Sequence, residues 1–231
     1  VDVGFWQKNM VSEDSRIFWQ GLLHYKGEYK SHPLSYPVYM DASVGRNLWE
    51  TMKNVYKQQR RWAWGAENFP YTVLGFLKIP EISLRKKFYF STIMIEGLWS
   101  WSTNAILMFF LGWLPLALGG EAFNSTILAF NLPRATRLIM TFAMVGVITS
   151  IMISTSLLPQ PPDKTPRRQQ LYMIFQWLLM PVTLIVFGAI PALDAQTRLA
   201  LGKYMGFWVT PKYRKEIIQN EANQHAPGRA P

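Results

Sequence analysis

The chain has 231 residues, is 49% hydrophobic and 15% aromatic, and carries 24 Lys and Arg against 14 Asp and Glu, a formal charge of +10. The absence of cysteine excludes a disulfide framework, a thiolate metal site and a cysteine nucleophile. The charge lies almost entirely outside three long apolar stretches, the profile of an integral membrane protein with a polar lobe, and the basic excess flanks those stretches, so no nucleic-acid partner is expected.

Taken in chain order, the opening residues have no basic run and no small-residue cleavage site, so they do not read as a signal peptide. They read as a start inside a domain, and the chain is expected to be a fragment. In "KNMVSEDSRIFWQGLLHY" the apolar residues Ile17, Phe18, Leu22 and Tyr25 recur at helical spacing, and Ser12 stands where an N-cap belongs. A helix is predicted from Ser12, with Glu13 and Asp14 in its first turn, where the helix dipole favours acids. They serve either as plain capping charges or as carboxylates that accept a proton. The punctuation of "GEYKSHPLSYPVYMDASVG" by Gly27, Pro33, Pro37 and Gly45 reads as an edge strand, where proline is tolerated.

A second helix is predicted from about Arg46 to Trp64, with Leu48, Met52 and Val55 on one stripe. Gln58, Arg61 and Trp62 stand at i, i+3 and i+4 and share a face of it. Arginine offers a planar fork for a phosphate, glutamine a donor and an acceptor, and tryptophan a platform for a sugar ring. The competing reading is a basic, tryptophan-anchored helix at a membrane interface.

Three transmembrane spans are predicted, at about 98–118, 138–158 and 171–193, each long enough for a hydrocarbon core of roughly 30 Å. The basic runs "LRKKF" at 84–88 and "DKTPRRQQ" at 163–170 place both of these flanks on the cytoplasmic side. The tail at 197–216 is basic as well, which three spans would place outside. A cytoplasmic tail with an amphipathic part along the headgroups is preferred. Asn124 opens a glycosylation sequon, Glu96 lies at the edge of the first span, and His24, His32 and His225 lack metal-site spacing.

Ser12-Glu13-Asp14, followed by Gln58-x-x-Arg61-Trp62 and then by apolar spans, resembles the acceptor half of membrane-bound family 2 glycosyltransferases, the processive enzymes related to cellulose, chitin and hyaluronan synthases. Both the (T/S)ED and the QxxRW patterns of that family are matched, with serine in place of the commoner threonine. The resemblance covers residues 1 to about 70 and, in general plan, the membrane region. It implies an α/β, partial GT-A-like catalytic lobe at 1–87, an α-helical transmembrane region at 88–193, and a basic amphipathic segment and tail at 194–231. Asp14 would be the general base with Glu13 beside it, and Gln58, Arg61 and Trp62 would hold the donor diphosphate and the acceptor.

The resemblance further implies a nucleotide-sugar donor, a glycan or lipid-linked acceptor, membrane lipids as partners, and a multi-pass place in the cell membrane with the lobe cytoplasmic. It also implies a divalent cation, Mg or Mn, held through a DxD motif. No DxD occurs in the chain, so no metal ligand is assigned here and the donor-binding half is expected to precede Val1. A fragment without that half should be inactive alone. The alternatives are a non-enzymatic membrane anchor or transport subunit, or a polyprenyl-phosphate sugar synthase.

Overall fold

The computed structural model describes residues 2–7, 10–34, 36, 38, 44–157, 168, 172 and 175–209. The described residues of 1–102 and 190–209 group into one compact unit and those of 103–189 into another.

The first unit is built of helices. Helix α1 spans Glu13–His24 and ends where Lys26 and Gly27 adopt positive φ, letting the Gly27 amide donate to the Leu22 carbonyl at 2.7 Å. Helix α2 spans Leu48–Ala63 and opens on a reciprocal cap. The Asn47 side chain accepts from the Glu50 amide at 2.8 Å, and Glu50 accepts from the Arg46 amide at 3.0 Å. A 3-10 turn over Trp64–Glu67 leads into α3, Asn68–Lys78, and then into α4, Leu84–Leu111.

Two small cores organise these helices. Leu22 and Leu23 of α1 pack on Phe76 of α3 and on Ile82, with Trp19, Tyr29, Tyr71 and Phe90 around them. The helices approach closely because Gly75 has no side chain: a Cβ there would stand 2.4 Å from Leu23 Cδ1. The second core joins Val11, Ala63 and Trp64 to Ala192 and Ala195 of α8, Ile190–Ala200. Small residues let the α8 backbone come near α2.

The expected α/β lobe is not what this sequence forms. Among the described residues there is no strand, and the GT-A-like sheet is replaced by packed helices. The predicted edge strand shows why. Leu34, Tyr36 and Val38 are 92%, 79% and 78% exposed, so no neighbouring strand or apolar layer covers them, and an edge strand without a partner has nothing to satisfy its backbone groups. Ser35, Pro37 and residues 39–43 of that stretch lie outside the described residues.

In the second unit, α5 at Leu114–Leu118 and α6 at Gly120–Asn124 are short, and α7 runs over Ile127–Leu157 with Pro133 inside it. Two helical runs among the described residues are long and apolar enough to cross a membrane. They are Ile127–Leu157, 31 residues whose most apolar 18-residue stretch has mean hydropathy 2.0, and Gln176–Ala200, 25 residues whose most apolar 18-residue stretch has 1.9. The span predicted at 98–118 is not one helix. Here α4 carries Glu96, Ser100, Ser102, Thr103 and Asn104, stops at Leu111, and is followed by Gly112 and then by Pro115 in the first turn of α5. The span predicted at 138–158 sits in a helix that begins at Ile127, and the described part of the one predicted at 171–193 continues to Ala200, taking in Asp194 and Arg198. Apart from Arg168, the loop at 163–170 lies outside the described residues, as does the tail from residue 210.

Candidate functional site

The first turn of α1 and the last turn of α2 face each other across a cavity of about 270 Å³ lined by Val11, Ser12, Glu13, Asp14, Ser15, Arg61 and Trp62. The helical phase set these positions: Arg61 and Trp62 are adjacent at the end of α2, and Glu13 and Asp14 head α1. Four of the five residues singled out in the sequence therefore share one cavity. Gln58 stands one turn earlier on α2, half-buried and outside the lining.

The side chains differ in their surroundings. Trp62 is 48% exposed, which leaves an indole face open to a ligand. Asp14 is exposed, and its Oδ1 accepts the Ser15 amide at 2.8 Å. Glu13 is half-buried, and its Oε2 is shielded from solvent without a hydrogen-bond partner among the described residues. An unpaired carboxylate oxygen of this kind favours a ligand that donates, such as a hydroxyl. Glu13 also borders a more apolar cavity of about 610 Å³ with Phe5, Trp6, Gln7, Met10 and Phe207. The Arg61 guanidinium lies 5.1 Å from the centre of the Phe207 ring, a cation–π arrangement, and its buried Nε has no hydrogen-bond partner among the described residues.

What holds the two walls in register is a polar network that periodicity in the sequence did not reveal. Ser12 does not cap α1 with its hydroxyl. It donates instead to Glu67 Oε1 at 2.7 Å, while its amide reaches the same oxygen at 3.3 Å. Glu67 Oε2 accepts from the indole N–H of Trp64 at 3.1 Å. Asn68 donates to Ser15 Oγ at 2.9 Å and accepts from Arg16 Nε at 2.5 Å. Arg16 also lies over the Tyr71 ring at 3.8 Å. Burial pulls the Arg16 pKa below its ordinary value, against the opposing attraction of Glu67. Glu67 and Asn68 follow the QxxRW pattern by five and six positions, and their only signal in the sequence is that proximity.

On the far side of α2, Arg60 donates to Asp194 at 2.9 Å, and Arg198 donates to the same carboxylate at 2.6 Å. The Tyr56 hydroxyl donates to it at 3.4 Å. Burial, then the nearby Asp194 charge, raises the Tyr56 pKa above its ordinary value. The divalent cation implied by the resemblance finds no matching ligand set here. Among the described residues no three His, Asp or Glu gather around a common point, and Glu67 is engaged by Ser12 and Trp64. No protein-family model, curated protein or solved structure matches this chain.

Chemically, the cavity joins proton-accepting carboxylates, a forked cation and an apolar ring within one small volume. Such a set can hold a polyol by its ring face, take a proton from one of its hydroxyls, and attract an anionic group nearby.

Proposed function

We propose that the chain is the acceptor-facing part of a membrane glycosyltransferase, which transfers a sugar from a nucleoside-diphosphate donor to a hydroxyl of a glycan or lipid-linked acceptor with inversion. The observation that carries this reading is the convergence of Glu13 and Asp14 with Arg61 and Trp62 on one cavity, although 48 positions separate Asp14 from Trp62. Asp14 takes the proton of the acceptor hydroxyl. The freed oxygen attacks the anomeric carbon, and the bond from that carbon to the diphosphate oxygen breaks with its electron pair leaving on the diphosphate. Trp62 stacks on the acceptor ring, Glu13 accepts one of its other hydroxyls, and Arg61 faces the negative charge of the leaving group. The helices Ile127–Leu157 and Gln176–Ala200 would anchor the lobe at the cytoplasmic face of the membrane. Apart from Arg61 at the diphosphate, no residue described here is assigned to the nucleotide, and none to its cation.

In the full-length protein, Asp14→Asn should lower sugar transfer by at least about 100-fold, in the range of a lost general base, while membrane insertion is unchanged. Trp62→Ala should raise the acceptor KM more than the donor KM. Full transfer activity in Asp14→Asn would overturn the assignment of this cavity as the site where the acceptor is deprotonated.

A further inference from the structure

The two walls of the cavity come from α1 and α2, which are not consecutive turns of one element, so their register depends on non-covalent ties. We propose that Glu67 is a positioning residue: its carboxylate locks the head of α1 to the end of α2 and thereby sets Glu13 and Asp14 against Arg61 and Trp62. The consequence for catalysis rests on the glycosyltransferase reading. The consequence for geometry does not.

Three donors converge on this one side chain. The hydroxyl and amide of Ser12 share Oε1, and the Trp64 indole takes Oε2. Ser12 immediately precedes Glu13, and Trp64 is two residues beyond Trp62, so a single carboxylate bridges the positions adjoining both walls. Only an acceptor at both oxygens satisfies the set. A glutamine must turn its NH₂ toward either the serine or the indole and lose one of the bonds. Trp64 is fully buried and packed on Val11 and Ala63, and Ser12 at the other end of the bridge is buried too, its hydroxyl also accepting from Asn68 at 3.4 Å. Asn68, the residue after Glu67 and the first of α3, repeats the tie to Ser15 and Arg16 of α1. Glu67 itself is not on the cavity lining, so it acts through Ser12 and not on a substrate.

The 231 residues hold no cysteine, so with any cysteine elsewhere in the full-length protein replaced, an introduced pair makes the geometry directly measurable. A Cβ at Gly65 would lie 3.9 Å from Ser15 Oγ, so a disulfide between cysteines at the two positions tests the separation of the two walls. The full-length protein carrying Ser15→Cys and Gly65→Cys should form that disulfide readily under mild oxidation, and Glu67→Gln should slow it several-fold. In the cysteine-free protein, Glu67→Gln should lower kcat at least about tenfold with the donor KM unchanged, because displacement of about 1 Å at a reacting group can cost up to about 100-fold. Glu67→Asp should recover part of the loss. Should Glu67→Gln fold poorly, Trp64→Phe removes only the indole donor and should move both readouts in the same direction. An unchanged cross-linking rate overturns the inference, as does a slowed rate with unchanged kcat. A wild-type protein that transfers no sugar overturns the glycosyltransferase reading instead, and the cross-linking rate then still decides whether Glu67 sets the register.

Discussion

Trp64 joins the site to the helix that packs behind it, and truncating it separates two contributions. It is fully buried, packed against Val11, Ala63, Ala192 and Ala195, with the Tyr204 ring edge-on at 5.9 Å. A buried tryptophan covers about 150–250 Å², which at about 25 cal/mol per Å² is worth roughly 4–6 kcal/mol. Trp64→Ala keeps little of that area and should cost about 3–5 kcal/mol, more if Glu67 is left without its donor. Trp64→Phe keeps most of the ring volume and loses the 3.1 Å bond to Glu67, for which about 1–3 kcal/mol is expected. The assay is denaturant unfolding of the detergent-solubilised protein, followed by near-ultraviolet circular dichroism, with limited proteolysis reporting on release of α8. If the phenylalanine variant is as unstable as the alanine variant, packing is not the larger contribution and the argument fails. If Trp64→Ala costs less than about 1 kcal/mol, α8 is not held by this contact, since a truncation in a packed core costs more.

Asp194→Asn leaves Arg60 and Arg198 without their shared anion. A fully buried broken pair costs about 3–5 kcal/mol, and partial exposure reduces the expectation here to about 1–2 kcal/mol, read as a lowered unfolding midpoint. Adding Arg60→Gln to that variant should cost less than the two changes made separately, and strict additivity would show that they do not interact. At the other end of α1, Lys86 pairs with Glu28 and Lys26 pairs with Glu81 at 2.8 Å, and the hydrogen bond from each lysine holds its carboxylate below the ordinary 4.5. Folded-state values depressed in this way contribute stability above about pH 4.5 that is lost as the pH falls through them. Unfolding midpoints measured from about pH 6 to about pH 3 should fall less in Glu28→Gln than in the parent, and less in high salt, because both carboxylates are exposed and therefore screened. An identical fall in variant and parent would remove Glu28 from the account.

The helices were legible where one local signal was enough. Ser12 and the acids after it marked the start of α1, and Leu48, Met52 and Val55 marked α2, because amphipathic periodicity is a property of one segment. The juxtaposition of Asp14 with Trp62 was legible only through the resemblance, since nothing within either segment encodes their meeting. The edge strand failed because proline and glycine punctuation describes an extended chain and cannot supply a neighbouring strand; Leu34 and Tyr36 have none among the described residues. The span at 98–118 failed for a related reason. Its apolar content is ample, but Asn104 interrupts it and Gly112 and Pro115 end its helix, and hydropathy averaged over a window does not register a break. Glu67 and Asp194 were invisible, each being an ordinary acid whose importance comes from donors 55 and 134 positions away.

Arg60 and Arg61 show how one helix serves both purposes. Adjacent positions on a helix point about 100° apart, so two neighbouring arginines cannot address the same partner. Arg60 turns to Asp194 on α8, and Arg61 turns to the cavity and the Phe207 ring. The tie through Arg60 resists rolling of α2 about its own axis, and that roll angle decides where Arg61 and Trp62 point. In the proposed reaction it is the second arginine that meets the ligand. The first acts one step removed, by fixing the helix that aims it. On this reasoning a lysine at position 60 should be tolerated better than one at position 61. A point charge is enough to hold Asp194, whereas the forked, flat guanidinium is what an aromatic ring and a diphosphate both require.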